Sequence, residues 1–468
     1  MTSSEIAALF AKAADHAARF RTDTGERSQS PRHKFADSKG AFSAALPEMP
    51  QRAGDIIDEL VAKAEPGLGM PTGPRFFAWV MGGSHPAGVA ADMLVSAWGQ
   101  NAGGHVASPS ASAVETIVQN WLLELLDLPR DSSIGFVTGA TMANFTCLAA
   151  ARGEVLRRKG WDVEAQGLFG APPISVLIGD DAHSTVFSAL RYLGLGQDRV
   201  IKIATDSQGR MIPPSFAKAI SRVEGPVIVI AQAGQINTGG FDDFAQIIPL
   251  AHKAGAWVHV DGAFGLWARA ARERKHLAAG IDAADSWATD GHKWLQTPYD
   301  CGYAIVRNEL SHRRAMTIAG SYLQTEAEGE RDPAQYVPEL SRRARGFATW
   351  AVIKALGRKG IEEMIERNCR VARVMATRLA AEPGVSVVND VVLNQAIIRF
   401  GSDAGDAESD QLTVDTIKRI QADGVCYVGG ANWRDRQVMR LSVISGQTTE
   451  TDGLRSAEAM ITAYRIVK

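Results

Sequence analysis

The sequence predicts an α/β protein in which a large domain built on a mostly parallel sheet is followed by a smaller α+β domain. Three observations carry this. Between about residues 110 and 310, short runs rich in Val and Ile recur at 134–138, 174–179, 200–204, 227–231, 257–260 and 302–306. Continuous apolar strands of this kind are buried on both faces, as in parallel sheets. Helical patterns separate several of them, including 242–254, and supply the crossovers that parallel strands require. After about residue 345 the order changes. A long helical stretch over 346–378, interrupted near Gly357 and Gly360, precedes strand patterns at 385–388, 396–400, 425–428 and 438–444, and a helix over 450–467 follows.

At the N-terminus, Ile6, Leu9, Phe10, Ala13, Ala17 and Phe20 recur at helical spacing, so an amphipathic helix is expected there. Its apolar face precedes the main fold and needs a surface to cover it, such as a second subunit. Residues 21–50 mix Pro, Ser, Gly and charge and read as an extended connector. The first twenty residues carry Glu5 and Asp15 and no long apolar run, so neither a signal nor a transit peptide is expected. No stretch approaches the roughly 18 apolar residues of a membrane span. A net charge of −2 gives no general attraction to nucleic acid or anionic membrane. Cys147, Cys301, Cys369 and Cys426 are scattered, with no C-x-x-C pair, which suits a reducing cytoplasm better than a disulfide framework or zinc site.

The residues that carry chemistry fall just beyond predicted strand ends, where open α/β sheets bind ligands. Residues 137–144, Val-Thr-Gly-Ala-Thr-Met-Ala-Asn, join a strand to a helix. Such a turn is either a tight connection or an anion site made by free amides at the helix N-terminus. It is not G-x-G-x-x-G, which argues against a nucleotide-binding regulatory module. His183 follows a second strand. Asp261 ends a third, where a carboxylate caps a helix, binds a metal or pairs with a cation. His259 and Asp261 point to opposite faces of one strand, so the pair is poor support for a metal. Lys293 is flanked by Trp287, Trp294 and Leu295; apolar burial lowers a lysine pKa and favours the neutral amine that imine formation needs.

In combination these pieces resemble one family. Phe76-Phe77-Ala78, residues 108–115 (Ser-Pro-Ser-Ala-Ser-Ala-Val-Glu), the 139–144 turn, Asp181-Ala182-His183-Ser184-Thr185, residues 238–242, residues 259–264 and His292-Lys293-Trp294 occur in the order found in the pyridoxal 5′-phosphate (PLP)-dependent aromatic amino acid, glutamate and histidine decarboxylases. The likeness runs from about Phe76 to the C-terminal helix. It implies the PLP-dependent transferase fold type I with a seven-stranded large-domain sheet. Three segments are then expected: 1–75, helical and extended and packing against a second subunit; 76–330, binding PLP; and 331–468, the small α+β domain. It further implies a homodimer with shared active sites and a small amino acid substrate.

The resemblance also assigns roles. Lys293 would carry PLP as a Schiff base, Asp261 would keep the pyridine nitrogen protonated, and His183 would stack on the ring. Ala140, Thr141 and His292 would hold the phosphate, and Ala263 would pack under the ring. The expected reaction is decarboxylation of an L-amino acid to its amine. Aldehyde-forming oxidative decarboxylation and other carbon–carbon lysis are the alternatives on the same scaffold. Arg440 resembles the arginine that meets a substrate carboxylate in glutamate decarboxylases, a role for which a bidentate guanidinium is suited; a structural ion pair is the competing reading. Phe77 and Trp79, with Phe76, are candidates for the side-chain pocket. Tyr336, or less well Tyr322, would reprotonate the substrate carbon from a polar surface loop around 325–333. Two departures stand out. Gly234-Gln235-Ile236 replaces the usual G-T-T, and Asp290 replaces an asparagine near the phosphate. A carboxylate facing phosphate would repel it, so Asp290 is expected to point elsewhere or to take a donor partner, and it is left outside the site.

Overall fold

The computed structural model describes residues 1–318 and 330–468. Seven strands form the large sheet: β1 Ser133–Val137, β2 Ser175–Gly179, β3 Ile201–Ile203, β4 Val227–Gln232, β5 Trp257–Asp261, β6 Ser286–Asp290 and β7 Gly302–Val306. Their order is β1-β7-β6-β5-β4-β2-β3, and only β7 runs antiparallel to its neighbours. The mostly parallel sheet predicted from the Val- and Ile-rich runs is therefore present. One of its strands was not legible: β6 reads Ser-Trp-Ala-Thr-Asp, too polar to score as an apolar run, yet all five residues are buried. Its polar groups are matched inside the sheet; Ser286 Oγ, for example, accepts from Trp257 Nε1 at 2.9 Å.

Helices cover both faces. Ala140–Arg157 follows β1 and presents Ala143, Cys147, Leu148 and Ala151 to the sheet. On the other face Trp267, Trp287, Trp294, Phe136 and Phe264 are buried in one core. Burying a side chain of this size contributes about 1.5–3 kcal/mol relative to exposure, and five such groups fix the floor beneath the strand ends.

The small domain holds the antiparallel sheet β10-β11-β9-β8, with β8 Val385–Val387, β9 Gln395–Phe400, β10 Gly429–Trp433 and β11 Arg436–Ser442. The strand expected at 425–428 is instead the lead-in to β10; only Tyr427 bridges there, to Phe76. Glu450–Val467 is helical as expected. The long helix Arg345–Ala380 breaks at Gly357 (φ 61°, ψ 174°), a left-handed conformation that glycine adopts without Cβ clash, and Gly360 stays helical.

The N-terminal helix spans Ser3–Thr22, with no buried residue. Residues 21–50 are not wholly extended, since Phe35–Phe42 forms a further helix. The 76–80 stretch packs against both domains, with Val80 in the large-domain core. Phe77 is fully buried in the small-domain core; its N–H donates to Tyr427 O at 2.8 Å and its carbonyl accepts from Ser442 N at 2.9 Å.

Candidate active site

Strands β1, β2, β4, β5 and β6 all point their carboxyl ends at one cavity of about 320 Å³, lined among others by Ala140, Thr141, His183, Asp261, Ala263, His292 and Lys293. Seven of the residues singled out in the sequence thus converge, although they span more than 150 positions. The parallel topology is the cause, because it brings the strand-to-helix turns to the same edge of the sheet.

The turn after β1 enters the helix Ala140–Arg157 at Gly139. Gly139 lies against Gly302 of β7, where a Cβ added to Gly302 would stand 2.5 Å from the Gly139 Cα; the small residues let the helix end sit low over the sheet. The first-turn amides have no helical acceptor, and they face the cavity. His292 closes the cup. Its Nδ1 accepts from Cys301 N–H at 3.1 Å, which puts the proton of the neutral ring on Nε2, toward the cavity. Burial lowers the His292 pKa, and Tyr299 stacks on the ring with centroids 4.3 Å apart.

His183 caps the helix Ser184–Tyr192, with Nδ1 accepting from Thr185 N–H at 3.3 Å and meeting Thr185 Oγ1 at 2.8 Å. Those contacts fix the ring plane at the cavity wall. Burial holds its pKa below the ordinary value. Asp261 is 5 % exposed and accepts from Ala263 N–H at 3.2 Å. Burial pushes its carboxyl pKa up, while the charges of His183 and Lys293 oppose that shift. A buried carboxyl of this kind takes up its negative charge readily only beside a cation, such as a protonated ring nitrogen. His259, on the opposite face of β5, bonds Asn144 Oδ1 at 2.8 Å and Ser286 Oγ at 3.0 Å, which ties the helix Ala140–Arg157 to the sheet.

Lys293 projects into the cavity, whereas Trp287 and Trp294 lie fully buried in the core beneath. The surroundings of its amine are ionic rather than apolar: Nζ is 2.9 Å from Asp290 Oδ2. Asp290 Oδ1 accepts from Ala140 N–H at 2.5 Å and lies 3.4 Å from His292 Nε2. Asp290 therefore does take donor partners, but it lines the cavity. Its exclusion from the site is corrected.

Other assignments change as well. Arg440, on β11, is largely buried; its guanidinium donates to Asn237 Oδ1 at 3.4 Å, and no carboxylate lies within ion-pair distance among the described residues. The structural ion pair weighed against its substrate role is absent. Phe77 is a core residue, and Trp79 is half exposed, packed against Phe76 and Tyr427 at centroid distances of 5.9 and 5.4 Å; neither lines the cavity. Tyr336 is 3 % exposed, with its hydroxyl donating to Glu309 and the Arg331 guanidinium 3.8 Å from its ring centroid. A phenol engaged in this way cannot hand a proton into the cavity. Tyr322 lies outside the described residues. Gly234 and Ile236 do line the cavity, so the G-T-T replacement gives it an apolar wall. Gln235 turns back onto the chain, accepting from Asn237 N–H at 2.6 Å.

Two residues were given no role in the sequence reading. Thr185 orients His183, and its signal was a helix N-terminus pattern in Asp-Ala-His-Ser-Thr. Gln296 clamps the lysine loop: it accepts from Gly83 N–H at 3.1 Å and Gly446 N–H at 3.0 Å, and donates to Lys293 O at 2.8 Å and Ile444 O at 2.9 Å. No local pattern marks such a residue.

The pocket therefore offers an amine, a buried carboxyl, a stackable imidazole and an anion cup at the helix end, which together fit PLP. Similarity to known proteins agrees. Residues 36–400 match the pyridoxal-dependent decarboxylase conserved domain. The chain is 28 % identical over 391 residues to an aromatic-L-amino-acid decarboxylase of Bacillus atrophaeus, covering 82 % of this chain and 79 % of that one. It is 27 % identical over 360 residues to a phenylacetaldehyde synthase of Arabidopsis thaliana, covering 74 % and 72 %. In fold it is similar to the crystal structure of Oryza sativa TDC with PLP and tryptamine, at a TM-score of 0.91 and 23 % identity, over 100 % of this chain and 99 % of that one. By the span of the domain match, this chain belongs to the pyridoxal-dependent decarboxylase family.

Proposed function

We propose that Lys293, Asp261, His183 and the Ala140–His292 cup form the site at which this enzyme decarboxylates an L-amino acid, with Arg440 receiving a substrate carboxylate. The enzyme is a PLP-dependent carboxy-lyase. When bound, PLP supplies an electron sink for the pair left behind by CO2. Lys293 would hold the cofactor through its amine, which lies at the cavity wall. Asp261, charged beside a ring cation, keeps a proton on that nitrogen. His183 excludes water from one face of the ring, and the amides of Ala140 and Thr141 with His292 Nε2–H anchor the phosphate. The observation that carries this reading is the convergence of these groups on one cavity at the sheet's carboxyl edge.

Support for Arg440 is electrostatic: it is a largely buried guanidinium with no carboxylate partner among the described residues, and its charge lowers the pKa of His183. A carboxylate arriving there gains a charge-assisted, bidentate contact. A screen of the twenty amino acids and hydroxylated aromatics for CO2 release, with Lys293→Ala as control, tests the reading. Release from none of them, or undiminished release by the control, overturns it. Mass spectrometry of the product separates amine from aldehyde, the second outcome suggested by similarity to a phenylacetaldehyde synthase.

We further infer a homodimer in the cytoplasm. Phe35, Leu46 and Met49 in the N-terminal segment are exposed, as are Leu94 and Trp98 on the helix Pro86–Trp98. All four cysteines are free and buried. Among the described residues no helix is long and apolar enough to cross a membrane. Sedimentation at the mass of a single 50.1 kDa chain would contradict the dimer.

A further inference from the structure

We propose that Asp290 is an internal anion seated in the phosphate cup, and that the affinity of this enzyme for its cofactor is set by how readily that carboxylate gives way. The inference rests on the phosphate reading of the Ala140–His292 cup. Asp290 ends β6, three residues before Lys293, and is 2 % exposed. Its two oxygens engage three groups that the site assigns to the cofactor: Ala140 N–H at 2.5 Å, His292 Nε2 at 3.4 Å and Lys293 Nζ at 2.9 Å. In the free enzyme the carboxylate thus takes the place of a phosphate oxygen at the end of an 18-residue helix, where the helix dipole favours an anion. It also holds the lysine amine that the cofactor must reach.

Arrival of the cofactor disturbs every one of these contacts. A phosphate group competes for the same amide and imidazole, and its charge has the same sign as that of Asp290. At the same time the Lys293 amine is taken by the cofactor's carbonyl carbon, so the carboxylate loses its nearest cation. The other titratable groups around it bring no fixed positive charge: His292 and His183 are held toward neutrality by burial, Asp261 is itself acidic, and Tyr299 and Tyr303 are phenols. Asp290 must therefore leave the Ala140 amide or stay against a charge of its own sign, and either weakens binding. An amide side chain of the same shape carries no charge and offers an N–H to the phosphate, so Asp290→Asn relieves the conflict without emptying the space.

The test measures equilibrium binding of pyridoxine 5′-phosphate, which has the phosphate but no aldehyde, and of pyridoxine, which has neither. Asp290→Asn should bind pyridoxine 5′-phosphate at least tenfold more tightly than the wild type and bind pyridoxine equally well. Asp290→Ser, a smaller uncharged variant, should move in the same direction, and it serves if the asparagine variant fails to fold. Unchanged or weaker binding of pyridoxine 5′-phosphate by a folded variant overturns the proposal. Equal tightening for both ligands also overturns it, because that would mean a reshaped pocket rather than a removed charge. PLP uptake by the wild type, followed by its visible absorbance, separates the two layers. Absence of uptake sinks the site reading together with the proposal, whereas normal uptake with an unmoved Asp290→Asn sinks the proposal alone.

Discussion

Gln296 offers a quantitative test of how the loop carrying Lys293 is held. Its side chain is 3 % exposed, and its backbone sits at φ 61°, a left-handed conformation that costs a non-glycine residue of order 1 kcal/mol. The four hydrogen bonds it makes to Gly83, Gly446, Lys293 and Ile444 must outweigh that strain. Gln296→Ala removes all four bonds, leaving the Gly83 and Gly446 N–H groups and the Ile444 carbonyl without these partners, while Lys293 O keeps only its bond from the Gln296 backbone N–H at 3.2 Å. At about 1 kcal/mol net per bond the loss is about 4 kcal/mol, or about 3 if a water refills part of the space. A chain of this length has an unfolding entropy of about 1 kcal/mol/K, at about 2.1 cal/mol/K per residue, so Tm should fall by about 3–4 °C if the chain unfolds as one unit. If the large domain unfolds separately the fall is greater. Because Lys293 O is one of the four partners, the loop carrying the lysine should also loosen, and PLP should be lost faster on dialysis. Differential scanning calorimetry with and without PLP, together with absorbance after dialysis, measures both effects. Gln296→Glu sharpens the test, since it keeps the shape but sets a carboxylate against the Lys293 and Ile444 carbonyls, and it should be at least as damaging. A Tm within 1 °C of wild type with unchanged PLP retention in Gln296→Ala would refute the clamp, 1 °C being well below the roughly 3 °C expected.

Three further outcomes are expected. Asp261→Asn should keep its fold and bind PLP while slowing decarboxylation by orders of magnitude, because the charge that stabilises the protonated ring is gone; near-normal turnover would make Asp261 structural. Tyr336→Phe should leave the amine yield unchanged and destabilise the protein by about 1 kcal/mol through the lost bond from the buried phenol to the exposed Glu309, read by denaturant unfolding; a shift of product toward aldehyde would restore the catalytic role that the structure denies it. Acid should destabilise the enzyme through His259, whose pKa burial lowers to about 3. A base held neutral in the fold but protonated once unfolded favours unfolding as pH falls. The stabilisation is present above about 6.5 and is lost progressively toward the folded value of about 3. His259→Gln should flatten the fall of Tm across that window, and an equally steep fall would assign the acid sensitivity to other groups.

By itself the sequence determined the class of sheet and picked out seven of the residues that line the cavity, Lys293 among them. Continuous Val- and Ile-rich strands admit only a sheet covered on both faces. Strand-end motifs such as 137–144, 181–185 and 259–264 are read locally, because the turn, the cap and the carboxylate each sit within a few residues of their strand. Tertiary structure decided what depends on partners distant in the chain. Strand β6 was illegible because its Ser, Thr and Asp are satisfied by neighbours that only the folded sheet supplies. Phe77 and Tyr336 looked like pocket and proton donor by their residue types, yet burial against the small-domain core and the Glu309–Arg331 pair gives them other work. Asp290 was set aside because a carboxylate repels phosphate. The fold places it in the cup nonetheless, since a helix end and a lysine ammonium, 150 and three residues away in sequence, together stabilise a charge that neither would hold there alone.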